Sequence, residues 1–338
     1  MNNLKKKIVA LCLTFSMAFS TSTAVFAKEQ NDKESPVKVQ SAMTRIEGRD
    51  RFVVANKVME DYYQNSKKVV LVSAIKFPDN ISSTVMSQGE IPILYTYSDK
   101  LDASTEKLLK SKNLDEVIII GGEKSVNEGL KKELENRNFK VDRLSGIDRY
   151  KTSAKIAAKL INDKTTTLEI ASGENYADAL SLNNAAEKDK APILLVKFNA
   201  IDKSVEDVIK SSKASLINIA GGEKSVSENT KANIKKISKA TINRIGGANR
   251  YETSILLAKY SGAKEVVVVA SGEDFADALV AAPFSAKQKG AILLTNKDKL
   301  GQKTEQFIKD TKFNKSYVIG GEKSVSEDVI NQLTSIIK

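Results

Sequence analysis

Histidine does not occur in this 338-residue chain, and cysteine occurs once, at position 12. The first absence removes His-liganded zinc hydrolysis, a Ser-His-Asp triad and a Cys-His pair. The second leaves no thiol nucleophile if Cys12 is lost on export. Cys12 lies in a segment that opens on Lys5, Lys6 and Lys7, continues as an apolar run from Ile8 to Phe19, and carries Val25 and Ala27 at the −3 and −1 positions of a cleavage site. Residues 1–27 therefore read as a secretory signal peptide, and an exported chain without cysteine suits a Gram-positive surface. The apolar run is too short to span a bilayer, and no later stretch is long and apolar enough to do so. No G-x-G-x-x-G or Walker pattern is present, so nucleotide binding rests on glycine turns alone. No metal ligand set or cofactor motif stands out. A two-carboxylate glycosidase stays formally open because acids are plentiful, but nothing marks one pair as unique.

What the chain has in excess is positive charge. The formal net charge is +11 and the pI about 9.3. Loss of the signal peptide, with its three lysines and no acids, leaves +8. An anionic partner is implied, and on a cell surface the abundant polyanions are wall polymers rather than nucleic acid. The plainer reading, that lysines on outer helical faces solubilise the chain, carries equal weight.

The word GGEKSV occurs three times, at Gly121–Val126, Gly221–Val226 and Gly320–Val325, so the chain is a tandem repeat. A polar lead-in over 28–40 is followed by repeats at 41–138, 139–239 and 240–338. Each repeat opens on a basic turn, Arg45–Phe52, Arg143–Tyr150 or Arg244–Tyr251. A helical pattern follows, then an apolar run (VVLVSA, LEIASG, EVVVVASG). YADAL or FADAL opens a second helix in repeats 2 and 3. PILY, PILL or AILL, a third helix, another apolar run and GGEKSV complete the unit. Apolar runs alternating with helices predict βαβ units and parallel strands covered on both faces. The fold class is α/β, with three tandem doubly wound parallel sheets. Ser125, Ser225 and Ser324, each followed three residues later by glutamate, predict a capping box at the start of the fourth helix. Anion binding at that helix N-terminus ranks second. A strand-like segment leads into the next arginine after repeats 1 and 2. Repeat 3 has none, and one copy (39–46) precedes repeat 1. If that copy completes repeat 3, the units close into a pseudo-threefold ring.

R-[IL]-x-G-x-x-R-[FY], [FY]-A-D-A-L, P-I-L-L and I-G-G-x-x-S-V, repeated in this order, resemble the type 2 cell-wall-binding repeats of clostridial and bacillar surface proteins. The resemblance covers essentially all of the chain after residue 40. It implies a triangular prism of α/β units, non-covalent attachment to an anionic wall polysaccharide, and residence at the cell wall, with surface-layer proteins as neighbours. It also implies binding through PILL: Pro192, Ile193, Leu194 and Leu195, with weaker matches at Pro92, Ile93 and Leu94 and at Ile292, Leu293 and Leu294. Read by itself, PILL is a buried strand that shapes a groove rather than touching sugar. Repeat 1 departs from the pattern at Ala74–Asp79, and Ala291 replaces the proline in repeat 3, so three equivalent sites are not expected. Wall-binding repeats often accompany hydrolases. A wall hydrolase using the repeats for targeting is the alternative, although the chain leaves no room for an added effector domain.

The remaining candidates are the matched arginines Arg45 and Arg51, Arg143 and Arg149, and Arg244 and Arg250. A guanidinium binds carboxylate or phosphate in bidentate fashion. They either line an anion groove at the strand C-terminal ends or pair internally with Asp79, Asp178 and Asp277, and the internal pairing is favoured. Phe52, Tyr150 and Tyr251 are expected in the core rather than stacked on sugar.

Overall fold

The computed structural model describes residues 42–76 and 80–337. The signal peptide, Cys12, the lead-in, and Phe77, Pro78 and Asp79 lie outside the described residues. In repeat 1 the chain runs β1 (Met43–Ile46), α1 (Arg51–Tyr62), β2 (Lys68–Ser73), α2 (Asn80–Ser87), β3 (Ile93–Thr96), α3 (Ala103–Ser111), β4 (Glu116–Ile120) and α4 (Glu128–Asn136). Repeat 2 follows as β5 (Lys140–Leu144), α5 (Arg149–Leu160), β6 (Thr167–Ser172), α6 (Tyr176–Ser181), α7 (Asn183–Asp189), β7 (Ile193–Val196), α8 (Lys203–Ser211), β8 (Leu216–Ala220) and α9 (Glu228–Ile237). Repeat 3 is β9 (Thr241–Ile245), α10 (Arg250–Ser261), β10 (Val266–Ser271), α11 (Phe275–Lys287), β11 (Ala291–Thr295), α12 (Gln302–Thr311), β12 (Lys315–Ile319) and α13 (Glu327–Ile336). The second helix, continuous in repeat 3, is divided in repeat 2 at Leu182.

The apolar runs become parallel strands because neither face is left to water. Val69, Val70, Leu71 and Val72 are all fully buried, as are Val267 to Ala270. Each such side chain contributes about 1.5–3 kcal/mol on burial. The strands form three four-stranded sheets, in the orders β3-β2-β4-β5, β7-β6-β8-β9 and β1-β12-β10-β11. Every pairing between these strands is parallel.

The strand that opens a repeat therefore completes the sheet of the repeat before it. β5 pairs with β4, β9 with β8, and β1 with β12. In the last pairing Met43 stands opposite Ser316 and Ile46 opposite Ile319, so the N-terminal copy closes repeat 3. Helices α2, α6 and α11 touch one another at the centre, and the first helix of each repeat packs on the second helix of the repeat before it. These contacts are cyclic, as pseudo-threefold symmetry requires.

The basic turn works as a cap. Asp50, Asp148 and Asn249 are the N-caps of α1, α5 and α10, accepting from Val53 N (3.0 Å), Lys151 N (2.9 Å) and Glu252 N (3.0 Å). The predicted capping boxes are corrected by two residues: Asn127, Ser227 and Ser326 are the N-caps of α4, α9 and α13. A short turn intervenes between GGEKSV and the helix, which frees the serine within the word for another partner.

Candidate functional site

Counted from the edge strand β3, β7 or β11, the second strand of each sheet is followed in sequence by the first, and the chain then crosses back to the third. The winding thus reverses between the two central strands, and open α/β sheets hold ligands outside the C-terminal ends of strands at such a switch point. Here two loops meet there. In repeat 2 one follows β6, carries Asn175 and leads into the first turn of α6 with Asp178, and the other is the GGEKSV turn after β8. The Arg turn of the next repeat closes the cleft. The cleft between repeats 2 and 3 has a volume of about 640 Å³, and its counterpart between repeats 3 and 1 about 520 Å³.

The floor of each cleft is a hydrogen bond that sequence reasoning assigned elsewhere. Ser225 Oγ donates to Asp178 Oδ2 at 2.6 Å, and Ser324 Oγ to Asp277 Oδ2 at 2.7 Å. Both carboxyls are buried, and desolvation raises their pKa against the stabilising serine bond and the nearby arginine charge. Gly221 and Gly320 have φ of 93° and 123°, and a Cβ at either would run into the aspartate. Glycine is required there for both backbone and space.

The six arginines divide into two sets. Arg45, Arg143 and Arg244 turn inward, with side chains 11%, 14% and 15% exposed. Arg143 Nη1 donates to Gly121 O (3.0 Å) and Val126 O (2.8 Å). Arg244 Nη1 donates to Gly221 O (3.0 Å), and Arg45 Nε to Gly320 O (3.1 Å). The first-turn glutamates Glu327, Glu128 and Glu228 complete the fork at 2.5, 3.5 and 3.0 Å. These arginines fasten the GGEKSV turn to the strand beside it. The expected internal partner was an ADAL aspartate. The partners found are turn carbonyls and the helix glutamate.

Arg51 and Arg250 stand at junctions between repeats, and Arg149 holds the matching position in repeat 2. Arg51 Nη1 donates to Ala74 O at 2.6 Å, and Arg149 and Arg250 donate to Gly173 O and Gly272 O. The Arg51 guanidinium lies 5.8 Å from the ring centre of Phe275 and that of Arg250 5.7 Å from Tyr176, each an aromatic of the preceding repeat. Arg51 and Arg250 line the two clefts.

The structure places PILL apart from these clefts. Ile93, Leu94, Ile193, Leu194, Leu195, Ile292, Leu293 and Leu294 are at most 3% exposed, and Pro92 and Pro192 are also buried. They form the sheet-edge strands β3, β7 and β11, covered by α1, α5 and α10. Leu195 N donates to Ser153 Oγ (3.1 Å) and Leu294 N to Ser254 Oγ (3.2 Å), so the helix also pairs the open edge. Any part these residues take in binding passes through the loops they hold. Phe52 and Tyr150 are buried and Tyr251 half-buried, all on first helices.

Sequence reasoning also missed a buried polar cluster in repeat 2. Glu169 on β6 is fully buried, and its Oε1 accepts from Asn218 Nδ2 at 2.9 Å. Asp189 accepts from Tyr260 OH of repeat 3 at 2.8 Å, and Asn218 Nδ2 also donates to that hydroxyl at 3.0 Å. Burial, with the Asp189 charge beside it, pushes the Glu169 pKa well up. A glutamate within an otherwise apolar strand, opposite an asparagine, was the available signal.

Among the described residues no helix is long and apolar enough to cross a membrane, and no group of three or more acidic, cysteine or histidine side chains is placed to hold a metal.

The chain is 30% identical over 295 residues to the N-acetylmuramoyl-L-alanine amidase LytC of Bacillus subtilis, covering 87% of this chain and 58% of that protein. It is 29% identical over 292 residues to the amidase enhancer of the same organism, covering 86% of this chain and 40% of that one. It thus spans about half the length of these relatives. The solved structure of Cwp8 from Clostridium difficile superposes with a TM-score of 0.78 at 26% identity, over 88% of this chain and 52% of that chain. The model of cell wall binding domain 2 matches three times, at residues 45–131, 143–231 and 244–330, and the chain belongs to this cell-wall-binding family.

Proposed function

We propose that this chain is a non-catalytic anchor that holds itself at a Gram-positive cell surface, beside surface-layer proteins, by binding an anionic wall polysaccharide. The observation that supports the reading is that the three family matches fall within one closed ring of strongly basic sequence, with Arg51 and Arg250 in the two described clefts between repeats. Lysine and arginine at strand ends attract phosphate or carboxylate over distances that salt screens. Co-sedimentation with isolated cell walls is expected to fall as sodium chloride rises from about 0.05 to about 0.5 M. Binding that does not change over this range contradicts the charge-driven mechanism.

The similarity to an amidase and an amidase enhancer favours a second reading, in which the repeats target a wall hydrolase. Within this sequence the absence of histidine removes the usual zinc ligands of an amidase. A suspension of walls incubated with the protein separates the readings. The anchor leaves its turbidity unchanged and releases no soluble fragments, whereas a hydrolase clears it.

A further inference from the structure

The two described clefts share a frame but not a charge. Asp178 and Asp277, Glu223 and Glu322, Lys224 and Lys323, and Arg250 and Arg51 occupy matching positions. Beyond this shared set, the cleft between repeats 3 and 1 adds three carboxylates, Glu47, Asp50 and Asp274, and one guanidinium, Arg49. The cleft between repeats 2 and 3 has Asn249 where the other has Asp50, and Asn175 where it has Asp274.

All four of these residues are helix N-caps. Asp50 Oδ1 accepts from Val53 N (3.0 Å) and Asn249 Oδ1 from Glu252 N (3.0 Å). Asp274 Oδ1 accepts from Ala276 N (2.9 Å) and Asn175 Oδ1 from Ala177 N (3.1 Å). Asparagine and aspartate cap equally well, so the fold does not decide between them. What the choice does change is the field in the cleft, where each fixed carboxylate repels an anion a few ångströms away. Glu47 pairs with Arg45 (2.9 Å) and Asp50 with Arg49 (3.1 Å), which leaves Asp274 facing the cleft with the buried Asp277 as its neighbour. In the other cleft Lys224 is exposed and the Arg250 guanidinium is held in place by Gly272 O and the Tyr176 ring. The amide nitrogens of Asn175 and Asn249 supply donors at the two positions where the other cleft has the carboxylates of Asp274 and Asp50. At the junction of repeats 1 and 2, Lys76 Nζ already reaches across to Lys124 O at 2.5 Å.

We infer that the cleft between repeats 2 and 3 is the anion-accepting site, taking a phosphate or carboxylate group of a sugar polymer on Lys224, Arg250, Asn175 and Asn249, and that the cleft between repeats 3 and 1 rejects the same group. The inference rests on the proposed function and makes the two described clefts unequal.

The test exchanges the caps. Asn175→Asp with Asn249→Asp makes the first cleft resemble the second, and Asp50→Asn with Asp274→Asn does the reverse. Both doubles keep every cap, so thermal melts are expected to match the parent, and they identify any variant that is misfolded. Binding is measured to isolated cell walls, to soluble polyglycerol phosphate and to soluble polygalacturonate. The Asn→Asp double is expected to lose about tenfold or more in affinity for the probe the parent binds. The Asp→Asn double is expected to bind at least as tightly as the parent and to higher capacity. Preference for polyglycerol phosphate or for polygalacturonate in the parent, lost in the Asn→Asp double, supports the site and identifies its group as phosphate or carboxylate. If the parent binds and a folded Asn→Asp double binds equally well, the inference is overturned while the anchor function stands. A parent that binds neither walls nor either polyanion overturns both.

Discussion

Single residues show why a word as regular as GGEKSV was easy to find and hard to interpret. Its first glycine is dictated by a positive φ and a neighbouring carboxylate, and its serine by that same carboxylate. The partner, Asp178 or Asp277, lies about half a repeat away in sequence, so local spacing suggested a capping box instead. The arginines misled in the same way, because backbone carbonyls leave no trace in a sequence and a carboxylate does. Glu169 offers the sharpest test at this scale. A buried carboxyl with a raised pKa binds its proton more tightly in the folded than in the unfolded chain. Its contribution is therefore fully present below the unfolded pKa and is lost as pH rises toward the folded value. Glu169→Gln keeps an oxygen to accept from Asn218 and removes the buried ionisable group. Thermal melts should show the variant gaining on the parent as pH rises from about 4 to about 8, by about 1–3 kcal/mol, the usual cost of a buried polar group left unsatisfied. An advantage for the parent that grows with pH contradicts this assignment.

Among elements, the periodicities were sufficient for the sheets. Short β-branched runs became strands, and their lack of alternation correctly signalled two covered faces. The ring closure was legible too, because the strand-like segment missing after repeat 3 stands before repeat 1. What could not be read was the division of the second helix at Leu182, where no glycine or proline marks it in the sequence. The closure strand is testable by itself. Ser316 N donates to Ala42 O at 2.7 Å and Gly320 N to Ile46 O at 3.0 Å. In a chain truncated to begin at Gly48, hydrogen exchange at Ser316 and Gly320 should accelerate by orders of magnitude, while β4 and β8, which keep their partners β5 and β9, remain protected. Uniform loss of protection across all three sheets would mean that the ring folds only as a whole. Unchanged protection at Ser316 would mean that β1 contributes nothing to the edge.

For the molecule as a whole, copies of one unit have become unequal junctions, as the two described clefts show. The fold was legible because it is repeated, and the proposed site was less so because it lies where the copies differ. Asn175 and Asn249 against Asp274 and Asp50 were visible in the sequence, but only the structure brings the members of each pair into one cleft. PILL was visible, and its reading as a buried strand agrees with its place at the covered sheet edge. The central claim is that the ring binds an anionic wall polysaccharide without cutting the wall. The most direct measurement is a pull-down of residues 28–338 on purified walls before and after chemical removal of that polysaccharide. The account predicts saturable binding to intact walls and none to stripped walls. Equal binding to both would place the ligand in peptidoglycan and contradict the claim.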